Sequence, residues 1–309
     1  MMSLRKLLLA PVAAAAALVL ATAGPAVSSG QAAATPAAGA DSAASAAATA
    51  GCGESPSLQD GTHTIRSGGK DRSFILDIPD GYDSNRPYRL VLGFHWWGGT
   101  ANDVATGQTV ETGVWAYYGL KRLADNSTIF VAPQGIGNGW ANAGGEDITL
   151  VDDILRTVEA DLCVDTSRRF ALGFSYGGAM SYSIACSRPD VFRAVAVYGA
   201  PGQLSGCSGG TGSIAYFGAH GIGDNIGRGE SLRDTFVRNN GCTPQDTPEP
   251  GQGSLTHITT TYSGCSAGNP VVWAAFDGGH IAAPQDGAPG DSGSNSWLPG
   301  ETWRFFTQF

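Results

Sequence analysis

The sequence predicts an α/β protein, a mostly parallel central sheet flanked by helices on both faces and stapled by disulfides. Strand-like apolar runs alternate with segments of helical period from about residue 60 onward, the pattern that builds a parallel sheet with crossover helices. Some of those runs are apolar almost throughout, as strands covered on both faces are. Six cysteines, an even number, follow an N-terminal stretch of export type, which points to three disulfides.

In chain order, Arg5 and Lys6 precede an apolar run over 7–21 broken only by Pro11, and Ala21-Thr22-Ala23 is a cleavage triplet. Residues 1–23 therefore read as a secretory signal, placing the mature protein outside the cell. A membrane anchor needs about 20 apolar residues with polar flanks at both ends. Here the run dissolves into Ala, Ser, Gly and Thr, and no later segment is long and apolar enough to span a bilayer. Residues 24–50 are nearly all Ala, Ser, Thr, Gly and Pro, with Asp41 as the one charge. Such a segment has no large side chains to bury and reads as a flexible tether. Residues 51–309 then fit a single large α/β domain.

Within that domain strands are expected over 74–78, 89–94 and 128–132. Leu150, Val151, Ile154, Leu155, Val158 and Leu162 recur at helical spacing and predict an amphipathic helix over 146–162. A strand over 169–173, a helix over 176–186 and strands over 194–198 and 214–217 follow. A helix near 229–239, a strand over 271–276 and a helix near 301–306 complete the set. The Thr-rich run at His257 looks like an edge strand. The cysteines are expected to pair Cys52–Cys163, Cys186–Cys207 and Cys242–Cys265, on short loop closure and on which element ends fall together.

Charge and motifs exclude several functions. The formal net charge is −9, with 18 basic residues scattered along the chain. A surface for nucleic acid or an anionic membrane needs them clustered. No GxGxxG or GxxxxGK[ST] loop, CxxC pair or HxxxH ligand spacing occurs, so no nucleotide, metal or other cofactor is expected.

One constellation carries chemistry. Gly173-Phe174-Ser175-Tyr176-Gly177 is a G-x-S-x-G sequence between a predicted strand and a predicted helix. A tight strand-to-helix turn lifts the serine hydroxyl above the sheet, and the glycines avoid collisions with neighbouring strands. A serine is a weak nucleophile at neutral pH and needs an adjacent base oriented by a third group. In this arrangement the acid and the histidine follow the serine in the chain, past later strands. His280, just beyond the last predicted strand, is favoured over His257 as base. Asp224, after the strand ending at Phe217, is favoured over Asp277, which lies only three residues before His280. His220 is read as shaping the Asp224 loop. Two backbone N–H groups must hold the oxyanion. Tyr176 supplies one, and the loop His95-Trp96-Trp97-Gly98-Gly99 supplies the other, from Trp97 or else Trp96. Trp96, Trp97 and Trp140 are expected to wall an aromatic slot.

With these residues in place, the chain resembles the secreted feruloyl esterases of the α/β-hydrolase superfamily. It is also similar to the related polyhydroxybutyrate depolymerase and acetylxylan esterase group. The resemblance spans Cys52 to Phe309. It rests on FHWWGG at 94–99, WAYYGL at 115–120, APQGIGNGWAN at 132–142 and GFSYGG at 173–178, with HGIGDN at 220–225, WAAFDGGH at 273–280 and WRFFTQF at 303–309. The chain departs in having Trp96 where many relatives have Gly. The resemblance implies an α/β-hydrolase fold and the cleavage of hydroxycinnamoyl esters, of feruloylated polysaccharide or of small alcohols; the protein is expected to be a monomer. Ser175 would be nucleophile, Asp224 acid and His280 base. The same triad would also serve an acetylxylan esterase or a polyester depolymerase. A secreted binding protein on an inactive scaffold would lack a triad member.

Overall fold

The computed structural model of the chain describes residues 48–208 and 210–309. The predicted signal, 1–23, and positions 24–47 of the predicted tether lie outside the described residues. The last three tether positions are not loose. Ala48 bridges to Asp165, and Thr49 Oγ1 donates to the Leu162 carbonyl at 2.7 Å while accepting the Val164 amide at 2.9 Å. The Cys52–Cys163 disulfide draws this segment onto the start of the neighbouring strand.

Among the described residues nine strands form one sheet. They are β1 (Gly61–Ser67), β2 (Lys70–Asp77), β3 (Tyr88–Phe94), β4 (Thr128–Pro133), β5 (Val164–Phe174), β6 (Ala194–Tyr198), β7 (Ala215–Gly221), β8 (His257–Thr261) and β9 (Val271–Phe276). Their order across the sheet is β1-β2-β4-β3-β5-β6-β7-β9-β8. The run from β4 to β9 is parallel, the β1–β2 hairpin adds antiparallel to β4, and β8 closes the other edge antiparallel to β9. The His257 run is thus an edge strand, as expected. The hairpin strand β1 was not expected. Its turn is Gly68-Gly69, both at positive φ, the backbone that a two-residue hairpin loop demands and that glycine adopts without strain.

Among the described residues six α-helices flank the sheet: α1 (Ala101–Thr106), α2 (Leu120–Ala124), α3 (Glu146–Asp161), α4 (Tyr176–Ser187), α5 (Gly227–Asn239) and α6 (Leu298–Thr307). The side-chain alternation of the strands splits the core in two. In β6, Val195 and Val197 point into one layer with Ile154 and Val158 of α3, Met180 of α4 and Phe236 of α5. Ala194, Ala196 and Tyr198 point into the other, with Val104 of α1, Leu120 of α2 and Phe305 of α6. Each fully buried Val, Leu, Ile or Phe contributes about 1.5–3 kcal/mol, so both faces need their helices. The short α1 and α2 escape a periodicity reading because six and five residues do not complete two turns.

Register decides where the loops meet. Phe174 of β5 pairs with Tyr198 of β6, Tyr198 with Ala219 of β7, and Ala219 with Ala274 of β9. The C-terminal ends of β5, β7 and β9 therefore finish at one edge of the sheet. The three disulfides Cys52–Cys163, Cys186–Cys207 and Cys242–Cys265 form as expected. The second ties α4 to the loop after β6, and the third ties the end of α5 to the loop after β8.

Candidate active site

Ser175 sits between β5 and α4 with φ 57° and ψ −118°, a strained conformation for a residue with a side chain. The turn is held by contacts that leave no room for Cβ atoms. A Cβ on Gly177 would lie 2.0 Å from the Phe94 carbonyl oxygen, and one on Gly173 would lie 2.4 Å from the Gly177 carbonyl carbon. The start of α4 thus presses directly against the end of β3. Tyr118, from the loop before α2, clamps the same junction: its hydroxyl donates to the Phe94 carbonyl at 2.5 Å and accepts the Phe174 amide at 3.3 Å. Gly177→Ala is therefore expected to destabilise the protein by about 3 kcal/mol through overpacking with no side chain able to yield. A thermal melt would show a fall in Tm of roughly 6–12 °C, and a wild-type Tm would refute this packing.

His280, from the loop after β9, reaches back over the sheet edge. Its Nδ1 is 2.6 Å from Asp224 Oδ2 and its Nε2 is 2.8 Å from Ser175 Oγ. A carboxylate only accepts, so Nδ1 carries the proton, and Nε2 is left to accept from the serine hydroxyl. The ring lies on Phe174, centroids 4.5 Å apart, and over Gly199, where an added Cβ would come 3.4 Å from Nδ1. The structure thus brings together the three residues singled out from the sequence. The two rivals are engaged elsewhere. His257 Nδ1 bonds Asp286 at 2.9 Å and its ring stacks on Trp297 at 3.9 Å, and Asp277 accepts the Leu255 amide at 2.8 Å.

Asp224 has a second histidine partner. His220 Nε2 is 3.0 Å from the Asp224 backbone carbonyl and 3.4 Å from Oδ2, the same oxygen that faces His280. A carbonyl oxygen accepts only, so Nε2 is the protonated nitrogen of His220. Burial pushes the pKa of this imidazole down, outweighing the Asp224 carboxylate, which keeps it neutral near pH 7.

The loop after β3 lies beside the start of α4, since the Gly177 position also abuts the His95 carbonyl. Tyr176 opens α4, where an amide has no intrahelical acceptor. Among the described residues the Trp96 and Trp97 amides have no hydrogen-bond partner either. His95 holds this loop and escaped the sequence reading. It is fully buried, accepts the Gly135 amide on Nε2 at 3.0 Å and donates from Nδ1 to the Trp96 carbonyl at 2.7 Å. Burial lowers its pKa, in keeping with this neutral tautomer.

Trp140 is a correction. It was expected to wall the substrate slot, but it is fully buried beneath the loop, its indole N–H donating to the His95 carbonyl at 2.7 Å and its ring packed edge-on against Phe94. It supports the loop from inside. Trp97 is the opposite, 74% exposed, with Ile136 and Leu204 as the other exposed large apolar residues among those described. These three sit on linked loops. The Gly98 amide donates to Asn138, and Ser205 Oγ donates to the Trp140 carbonyl. Trp97 lies near Tyr176, since a Cβ on Gly139 would come 3.4 Å from the Trp97 ring and 3.2 Å from the Tyr176 ring. Trp96 is half-buried against Gly99 and the core.

A serine on this elbow, facing a histidine and a carboxylate from later loops of a mostly parallel sheet, is the architecture of α/β-hydrolase esterases. Solved structures agree on the fold. A ferulic acid esterase superposes with a TM-score of 0.53 at 16% identity over 81% of this chain and 98% of that one. A ferulic acid esterase of Anaeromyces mucronatus, solved with ferulic acid, gives 0.52 at 16% identity over 80% and 89%. In sequence the chain is 47% identical to feruloyl esterase C of Emericella nidulans over 263 residues, 84% of this chain and 91% of that protein. It is 43% identical to feruloyl esterase D of Neurospora crassa over 270 residues, 85% and 91% of the two. No protein-family model matches the chain. The chain belongs to the feruloyl esterase family and is a carboxylic ester hydrolase.

Proposed function

We propose that this chain hydrolyses feruloyl esters by a serine acyl-enzyme mechanism, with Ser175 as nucleophile, His280 as base and Asp224 as the orienting acid. The observation that carries the reading is the relay through His280, 2.6 Å to Asp224 and 2.8 Å to Ser175. As Ser175 Oγ bonds to the ester carbonyl carbon, its proton passes to His280 Nε2. The imidazolium that forms is stabilised by Asp224, and the oxyanion takes hydrogen bonds from the Tyr176 and Trp97 amides. The carbon–oxygen bond to the alcohol then breaks, and the departing oxygen takes the proton from His280. Water repeats the sequence from the other side: its proton goes to His280, its oxygen bonds the acyl carbon, and Ser175 leaves with the proton returned.

The relatives' names supply the acyl group, and the site suits it. A flat phenolic acid suits the tryptophans of the loop after β3, the half-buried Trp96 and the exposed Trp97, the latter near Tyr176, which follows the serine. The physiological substrate is feruloylated arabinoxylan, met outside the cell by a monomer exported on residues 1–23 and carried by a tether. Three disulfides suit that oxidising compartment.

Initial rates on methyl ferulate, an acetylated xylan and hydroxybutyrate oligomers test the substrate class. Methyl ferulate should exceed the other two by about 100-fold in kcat/KM, the discrimination a ring-sized apolar slot supplies. Faster cleavage of the acetyl or hydroxybutyrate ester would reassign the enzyme to that substrate.

A further inference from the structure

We propose that a polar cavity beside His280 receives the sugar alcohol of the ester, so that the two halves of the substrate meet surfaces of opposite character. The inference rests on the esterase reading above and adds to it where the carbohydrate lies. The cavity has a volume of about 450 Å³, in the range of small-molecule sites, and its walls include Gly223, Glu249, Gln252, Asp277, Gly278 and Gly279. Gly278 and Gly279 immediately precede His280, and Gly223 precedes Asp224. The cavity therefore abuts both loops that supply the relay.

Proton transfer fixes which half of the ester points this way. The departing alcohol oxygen takes its proton from His280 Nε2, so the alcohol side of the scissile bond lies against His280. The carbonyl oxygen lies against the amides at the start of α4, on the β3 side. Across the sheet edge the order is the β3 loop with its tryptophans, Ser175 after β5, Asp224 after β7, His280 after β9, and then residues 249–252 leading into β8. An alcohol that continues past His280 runs toward β8, where the cavity is.

The wall chemistry selects a neutral polyol. Glu249 and Asp277 offer carboxylate oxygens and Gln252 offers both a donor and an acceptor, a set that matches adjacent hydroxyl groups. Asp277 is held in place by the Leu255 amide at 2.8 Å. Glu249 and Gln252 are exposed, with no partner among the described residues, and are free to meet a ligand. No Lys or Arg lines the cavity, so an anionic alcohol such as a uronic acid is disfavoured. Size alone does not select the site. A larger cavity of about 670 Å³ lies along α5, but no residue of the loops 221–225 and 277–280 that carry Asp224 and His280 lines it, and its Arg233 is already paired with Glu230 and Asp234.

The test compares feruloyl-arabinofuranose with methyl ferulate on the full chain. Wild-type protein should prefer the sugar ester in kcat/KM, and Glu249→Ala and Gln252→Ala should each lower the ratio of sugar ester to methyl ester by about tenfold, chiefly through KM. Glu249→Gln, which keeps one acceptor, should restore part of it. A ratio that stays within about twofold in both alanine variants overturns the proposal, as does a parallel fall on both substrates. Failure of the wild-type protein to cleave methyl ferulate would instead overturn the esterase reading itself.

Discussion

Ser175→Ala should lower kcat on methyl ferulate by about 10⁵-fold, close to 7 kcal/mol of transition-state stabilisation, while leaving the melting temperature near that of the wild type. Its hydroxyl has one hydrogen-bond partner among the described residues, His280 Nε2, so the folded state loses little when the oxygen is removed. The elbow keeps its geometry because that is imposed by Gly173 and Gly177 against Phe94, not by the serine side chain. On the proposed mechanism, what is lost is the atom that forms the acyl bond. Residual turnover above the uncatalysed rate would come from the Tyr176 and Trp97 amides acting on a water-borne attack. A fluorophosphonate probe should label the wild-type protein and leave the variant unmarked. Labelling and ester cleavage in the variant at wild-type levels would remove Ser175 from the mechanism.

The legibility of this site has a physical limit. Ser175, Asp224 and His280 were readable because each follows a strand whose apolar run marks it as interior, and parallel neighbours must end at a common edge. The same logic placed β8 at an edge, since His257-Ile258-Thr259-Thr260-Thr261 has too few apolar positions for two covered faces. What could not be read is depth. Trp96, Trp97 and Trp140 are one residue type in glycine-rich loops, and nothing local distinguishes the exposed indole from the one packed under His95. His95 carries no periodic signal because the two closest partners of its ring, Gly135 and Trp96, are backbone groups, one of them 40 positions away. The β1–β2 hairpin is different, because its signal was present. Ser67-Gly68-Gly69-Lys70 is a two-glycine turn between alternating segments, but Thr62, Thr64 and Arg66 make the first segment look polar when taken alone. α1 carries its own mark as well, a Thr100–Asp103 capping box.

Asp224→Ala should cost about 10⁴-fold in kcat, whereas Asp224→Asn should cost only about 10²-fold, and His220 is the reason for the gap. Removing the carboxylate frees the imidazole to rotate and leaves the imidazolium unstabilised, the loss known for the acid of such triads. An asparagine in other triads presents its NH₂ to the histidine and forces the wrong tautomer. Here His280 Nδ1–H donates to Asp224 Oδ2 at 2.6 Å, and the protonated Nε2 of His220 lies 3.4 Å from the same oxygen. The proton on His220 is pinned because the same nitrogen donates to the Asp224 carbonyl at 3.0 Å. An asparagine therefore places its oxygen where Oδ2 was and accepts from His280, because an NH₂ there would lie beside the fixed N–H of His220. The productive tautomer of His280 survives, and the variant loses the difference between a charged and a neutral acceptor, about 2–3 kcal/mol. Both variants should be equivalent to Ser175→Ala when combined with it, because the three groups act as one unit. If Asn and Ala variants fall equally, the bias from His220 is absent. If Asp224→Asn suffers no further loss when His220 is replaced by Phe, the orientation of the amide is set by something else.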